Sequence, residues 1–209
     1  MKKRKAVFAR KTKETNIVAS VTIDGSGTSK VKTGLRFLDH MLEALAKHGL
    51  FDIAVKATGD LDVDTHHTNE DVGIALGSAF KKALGDKKGI RRFADFRAPL
   101  DEALAETRVT IDLSGRGSFH MHTNSKTKWL DHPALRAKQN SMNYTIADTK
   151  HFFESFAGHM GITLHVDFIA GEQAHHVIEA TFKSFAKALD WATQIDERSR
   201  SIPSTKGKL

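Results

Sequence analysis

The chain of 209 residues contains no cysteine. Disulfides and thiolate metal sites are therefore excluded, and any transition metal must be held by nitrogen and oxygen donors. No apolar run approaches the ~20 residues that a membrane-spanning helix needs. Nor does the apolar core of a signal peptide follow the basic N-terminus. The expectation is a cytoplasmic protein without a membrane partner.

What is present is more informative. A hydrophobic content of 40% in a chain of this length supports one compact body. The expectation is one domain, residues 1–209, built from two related halves of about 1–95 and 96–209. The net charge of +7 permits nucleic acid, an anionic membrane or a phosphorylated small molecule as partner, and charge alone does not choose among them. Aromatic residues mainly follow core periodicity rather than interleaving with basic ones, so nucleic acid is not expected. Lys2, Lys3, Arg4 and Lys5 read as a short solvated arm. Twelve histidines is a high count for this length, and histidine is the commonest metal ligand, so their placement decides their meaning.

Residues 6–11 and 16–24 have strand character and end at the turn signal Gly25-Ser26-Gly27. Leu38, Met41, Leu42 and Leu45 recur at helical spacing up to His48-Gly49. Residues 51–57 read as a strand, and a second helical stripe runs from about Thr68 to Gly85. The second half repeats this order, with strands near 105–112 and 117–123, a helix carrying Phe152, Phe153 and Phe156, a strand over 162–169 and a long helix over 175–195. His40, Glu43, Ala46 and His48 superpose on His151, Glu154, Ala157 and His159 at a constant offset of 111 residues. His66-His67-x-x-Glu70 superposes on His175-His176-x-x-Glu179 at an offset of 109. Several matches in one order within one helix-strand-helix context argue for a duplicated half-domain, giving an α+β fold in which each half is a small sheet covered by helices.

At the start of a helix, residues three and four apart share a face, so either histidine of each unit can converge with its glutamate. Adjacent histidines point in different directions, which suits two neighbouring ions better than one. His40 and His151 add one nitrogen to each set. An isolated histidine pair is commonly a surface cap or a packing element; its duplication points to metal. Neither unit has the His-Glu-x-x-His order of a zinc peptidase. The donor set suits Mn, Fe, Co, Ni or Zn without choosing among them.

Further stretches extend the pattern. They are Thr33-Gly34, Phe37-Leu38-Asp39-His40-Met41, Gly59-Asp60-Leu61, residues 64–71, Gly89-Ile90-Arg91-Arg92-Phe93, Pro99-Leu100-Asp101-Glu102-Ala103-Leu104, Asp112-Leu113-Ser114-Gly115-Arg116, residues 175–183 and Pro203-Ser204-Thr205-Lys206-Gly207. With these the sequence resembles the imidazoleglycerol-phosphate dehydratases, manganese enzymes of histidine biosynthesis. The resemblance spans nearly the whole chain. It implies helices sandwiched between two small mixed sheets, and trimers assembling into a 24-subunit shell. It further implies that His40, His66, His67, Glu70, His151, His175, His176 and Glu179 hold two Mn²⁺ ions per active site, shared between neighbouring subunits.

The reaction it implies is dehydration of D-erythro-imidazoleglycerol phosphate to imidazole-acetol phosphate. The ring is held as imidazolate between two metals, and hydroxide is expelled through a diazafulvene. Glu14, of the pair Glu14-Thr15, is implied as the general acid/base. Arg92, Arg116, Ser204 and Lys206, with weaker support for Lys183, are implied as substrate- and phosphate-binding groups. Gly117 stands where proline is common in the family, Gln173 where asparagine is common, and Ala44 where glutamine is frequent. At position 173 that exchange would matter if the backbone were left-handed. Residues 126–143 read as a lid, an altered subunit contact or a loop. A binuclear metallohydrolase acting on phosphate esters is the competing enzyme class, because it would share the ligands and the basic anion site.

Overall fold

A computed structural model describes residues 3–101, 103–105, 111–124 and 144–209. In the first half, β1 (Lys5–Lys11) and β2 (Thr15–Thr22) form an antiparallel hairpin with Lys11 opposite Asn16. Alternation in β2 buries Thr15, Ile17, Ala19 and Val21 and leaves Asn16 and Val18 outside, the period-two pattern of a sheet with one covered face. β3 (Ser29–Lys32) runs parallel to β4 (Asp52–Gly59), and β4 runs antiparallel to β2, for a sheet of order β1-β2-β4-β3. Helix α1 (Arg36–Gly49) connects β3 to β4, and α2 (His66–Leu84) follows.

The second half repeats this arrangement. β5 (Phe93–Ala94), β8 (Ile111–Asp112), β10 (Thr163–Asp167) and β9 (Ser118–His122) form a sheet of order β5-β8-β10-β9. Its pairings are again antiparallel, antiparallel and parallel. Helix α3 (Ile146–Met160) lies between β9 and β10, and α4 (Ala174–Thr193) follows β10. A small hairpin of β6 (Ala98–Leu100) and β7 (Ala103–Ala105) packs on α4.

The helices form the middle layer, and they pair across the halves: α2 lies along α3 and α1 along α4. Glycine permits the closest approach. A Cβ at Gly73 would stand 2.8 Å from the Phe152 carbonyl oxygen, and one at Gly77 2.5 Å from that of Phe156. These two contacts advance together along both helices, so α2 and α3 run parallel. Phe152, Phe153 and Phe156 of α3 meet Phe182 and Phe185 of α4, with Phe153 and Phe182 centroids 4.8 Å apart. Each such aromatic pair adds ~0.5–1.5 kcal/mol beyond area burial. Among the described residues no helix is long and apolar enough to cross a membrane.

Several local expectations change. Arg4 is no solvated arm: its guanidinium forks onto Asp24 and donates to the Thr193 carbonyl at 2.6 Å, while Lys5 opens β1. Helix α2 begins at His66 rather than Thr68, since Asp64 accepts the His66 amide at 2.7 Å. Gln173 is extended (φ −115°, ψ 128°), so the asparagine common there would relieve no left-handed strain. Gly117 lies against Gly158 of α3, where a Cβ, and so a proline, would collide with the backbone. Residues 126–143 lie outside the described residues.

Candidate functional site

The ends of the paired helices gather the candidate ligands into two clusters, each drawn from both halves. In the first, α1 supplies His40 and α4 supplies His175 and Glu179. His40 Nε2 and His175 Nε2 each lie 3.2 Å from Glu179 Oε2. One donor atom from each of the three lies within 4.8 Å of the others, a spacing that could hold a metal ion. His175 Nε2 reaches Glu179 because the two residues are one helical turn apart.

In the second, α2 supplies His66 and Glu70 and α3 supplies His151. His66 Nε2 stands 3.4 Å from Glu70 Oε2, and His66 Nδ1 stands 3.2 Å from His151 Nδ1. The N-terminus of α3 is fastened for this purpose. Thr145 and Asp148 form a capping box, in which the Thr145 side chain accepts the Asp148 amide and Asp148 accepts the Thr145 amide. Asn69 of α2 then donates to the Asp148 carbonyl at 2.8 Å, and Tyr144 donates to Asn69 at 2.8 Å. His151 is thereby registered against His66.

His67 is held outside the cluster that its neighbour His66 joins. His67 Nδ1 pairs with Asp60 Oδ2 at 2.9 Å and lies 4.0 Å from Glu14 Oε2. The hydrogen bond that Asp60 accepts raises the His67 pKa. The other oxygen of Asp60 is buried with no hydrogen-bond partner among the described residues. His175 and His176 ring centroids are 5.9 Å apart at 72°.

Glu14 sits at the tip of the β1–β2 hairpin. Thr12 Oγ1 accepts the amides of Glu14 and Thr15 at 3.1 and 2.9 Å, which closes the turn. A groove of about 380 Å³ beside it is lined by Lys11, Glu14, Thr15, Asn16, Gly59 and Asp60, among others. Glu179 is the most perturbed of the candidate carboxylates. Burial pushes its pKa up, but hydrogen bonds from Lys183 (2.6 Å) and His40 outweigh that and hold it down at about 2.

The anion-binding candidates separate into two places. Arg92 donates Nε and Nη2 to Asp112 at 2.7 and 3.2 Å and Nη1 to the Pro203 carbonyl at 2.7 Å. It thus fixes the start of the C-terminal turn, in which Ser204 Oγ accepts the Lys206 amide and the Ser204 carbonyl accepts Gly207. Arg116 follows Gly115, against whose turn the C-terminal Leu209 packs. Lys183 does not join this group and pairs with Glu179 instead. Asp60 and Asp71 lie in stretches that carry the resemblance, yet nothing in the sequence assigns either a role. The first had a signal in the acidic loop before His66, the second only in its place beside Glu70.

A family model described as imidazoleglycerol-phosphate dehydratase matches residues 33–189, which include all eight candidate ligands. The imidazoleglycerol-phosphate dehydratase of a Thermoanaerobacter species is 52% identical over 206 residues, covering 99% of this chain and 100% of the relative. The chloroplastic one of Pisum sativum is 52% identical over 201 residues, covering 96% of this chain and 67% of the relative. A crystal structure of the Pyrococcus furiosus protein superposes with a TM-score of 0.75 at 32% identity, covering 96% of this chain and 99% of that one. One from Staphylococcus aureus gives 0.72 at 30% identity, covering 91% and 99%. The chain belongs to the imidazoleglycerol-phosphate dehydratase family.

Proposed function

We propose that this chain converts D-erythro-imidazoleglycerol phosphate to imidazole-acetol phosphate in histidine biosynthesis with two Mn²⁺ ions per active site. The observation that carries the reading is the pair of clusters, His40 with His175 and Glu179, and His151 with His66 and Glu70. The donors fit such ions in kind, nitrogen and carboxylate oxygen without sulfur, and in the first cluster one donor atom from each of three residues already converges within 4.8 Å. When bound, the two ions would be held by these histidines and glutamates and would supply Lewis-acid stabilisation of negative charge developing on the substrate.

This chain's residues supply the rest. The reaction removes the hydroxyl beside the ring and a hydrogen from the adjacent carbon; water leaves, and the enol formed becomes the ketone. Glu14, carried by the hairpin to within 4.0 Å of His67, takes that hydrogen as a proton. Asp60 fixes the His67 ring through Nδ1 and leaves Nε2 for an ion, as carboxylates behind metal-bound histidines commonly do. His67 and His176 serve ions shared with neighbouring subunits in a trimer-based 24-subunit shell. At the far end of the substrate, Arg92 holds the turn bearing Ser204 and Lys206, and Arg116 adds a second guanidinium for the phosphate.

Metal-stripped protein should lose turnover of imidazoleglycerol phosphate and regain it with Mn²⁺. Glu14→Gln should keep its bound manganese and lose turnover. Full turnover without metal, or wild-type turnover in Glu14→Gln, would overturn the respective assignment. Release of inorganic phosphate from simple esters would favour the hydrolase reading instead.

A further inference from the structure

The two halves carry equivalent metal-binding units, yet they differ at the residue after each glutamate. Asp71 follows Glu70, whereas Ala180 follows Glu179. Asp71 is 6% exposed, and both of its oxygens are engaged by the β1–β2 hairpin. Oδ2 accepts Thr15 Oγ1 at 2.5 Å, and Oδ1 accepts Arg10 Nε at 2.7 Å. The same Thr15 closes the hairpin tip, donating its backbone N–H to Thr12 Oγ1 and bringing its hydroxyl within 3.2 Å of that of Thr12. Glu14 stands between these two threonines in sequence.

We infer that Asp71 is a positioning residue, tying the hairpin that carries the base Glu14 to the helix that carries the ligands His66, His67 and Glu70. The inference rests on the reading of Glu14 as base and extends it to a residue that touches neither ion nor substrate. A buried carboxylate accepting two hydrogen bonds, one of them from a guanidinium, is a stiff joint. It is placed one residue from a metal ligand, so the position of the base and that of the metal site are set by the same helix turn. In the other half the equivalent residue is an alanine, which can make no such joint. Misplacing a reacting group by about 1 Å can cost on the order of 100-fold in rate.

The test uses Asp71→Asn and Thr15→Val, each alone and combined with Glu14→Gln. Each should lower kcat by ~10- to 100-fold with little change in KM and with the wild-type number of bound Mn²⁺ ions. In the Glu14→Gln background neither should lower the residual rate further, because the group they position has already gone. In metal-free protein, deuterium uptake in a peptide over residues 11–16 should rise in both variants, with no change over α3. The inference is overturned if either variant keeps wild-type kcat while Glu14→Gln loses it. It is overturned equally if the losses multiply with that of Glu14→Gln. Should Asp71→Asn fail to fold, Thr15→Val carries the same test. Wild-type turnover in Glu14→Gln itself would instead remove the underlying reading of the base.

Discussion

Replacing Gly73 by alanine separates the placement of the metal ligands from the stability of the fold. The new methyl would stand 2.8 Å from the Phe152 carbonyl oxygen and 3.1 Å from Ser155 Cβ. Ordinary contact needs ~3.5 Å, so α3 must move away from α2 by roughly 0.7 Å at Phe152, the neighbour of His151. Overpacking of this kind costs ~1–3 kcal/mol, while exchanging glycine for alanine inside a helix returns about 1 kcal/mol. The net loss of about 0–2 kcal/mol leaves the chain folded, with a fall in Tm of at most ~8 °C for a protein of this size. Metal binding is far less forgiving. Metal–ligand distances hold to within about 0.2 Å, so a displacement of His151 against His66 of roughly 0.7 Å should weaken Mn²⁺ binding ~10- to 100-fold.

The assay is calorimetric titration of metal-stripped protein with Mn²⁺, beside a thermal melt. Gly158→Ala is the control, because it lies in the same α3 and a Cβ there meets nothing within 4 Å. It should raise Tm slightly and leave Mn²⁺ affinity unchanged. Wild-type affinity in Gly73→Ala would refute the claim that the α2–α3 contact sets the His66–His151 geometry.

Two other perturbations probe different parts of the molecule. Arg92→Lys loses the fork onto Asp112 and the reach to Pro203, so KM for the phosphorylated substrate should rise ~10-fold or more with bound manganese unchanged; an unaltered KM would detach this turn from substrate binding. Asp52 is held at about pKa 2 by the Ser26 amide first, against burial, with Thr28 adding to the effect. Its folded value lies below its ordinary 3.8, so its contribution is complete above about pH 4 and is lost as pH falls toward 2. Asp52→Asn should therefore lower Tm at neutral pH, and the gap to wild type should close across that acid window. A gap that stays constant down to pH 2 would contradict the assignment.

Much of this was legible in the residues because it depends on local order. Helical spacing gave α1 and α2, and the offsets of 111 and 109 announced two equivalent halves before any packing was known. The elements missed are those whose reasons lie elsewhere in the chain. β3 is four residues long, with Lys30 and Lys32 exposed, and becomes a strand only by lying parallel to β4. β5 is two residues long and exists through its pairing with β8, which falls inside the strand expected over 105–112. The partition of ligands was equally hidden. Repetition assigns one helical histidine to each unit, but only the pairing of helices across the halves gives His40 to the later unit and His151 to the earlier one. Asp60 reads as one acid among several in a loop, and its role follows from β4 ending beside the start of α2. Arg92 shows the reverse case. Its arginine chemistry suits a phosphate, and the structure adds that the same side chain fastens the turn on which Ser204 and Lys206 lie.

The account rests on two ions held by two clusters that cross the halves, and metal content measures that directly. Protein equilibrated with Mn²⁺ and freed of excess should contain two ions per chain. His40→Ala and His151→Ala should each retain one, and the double variant none. Wild-type protein with one ion or none, or a His151→Ala variant that keeps both, would contradict the account.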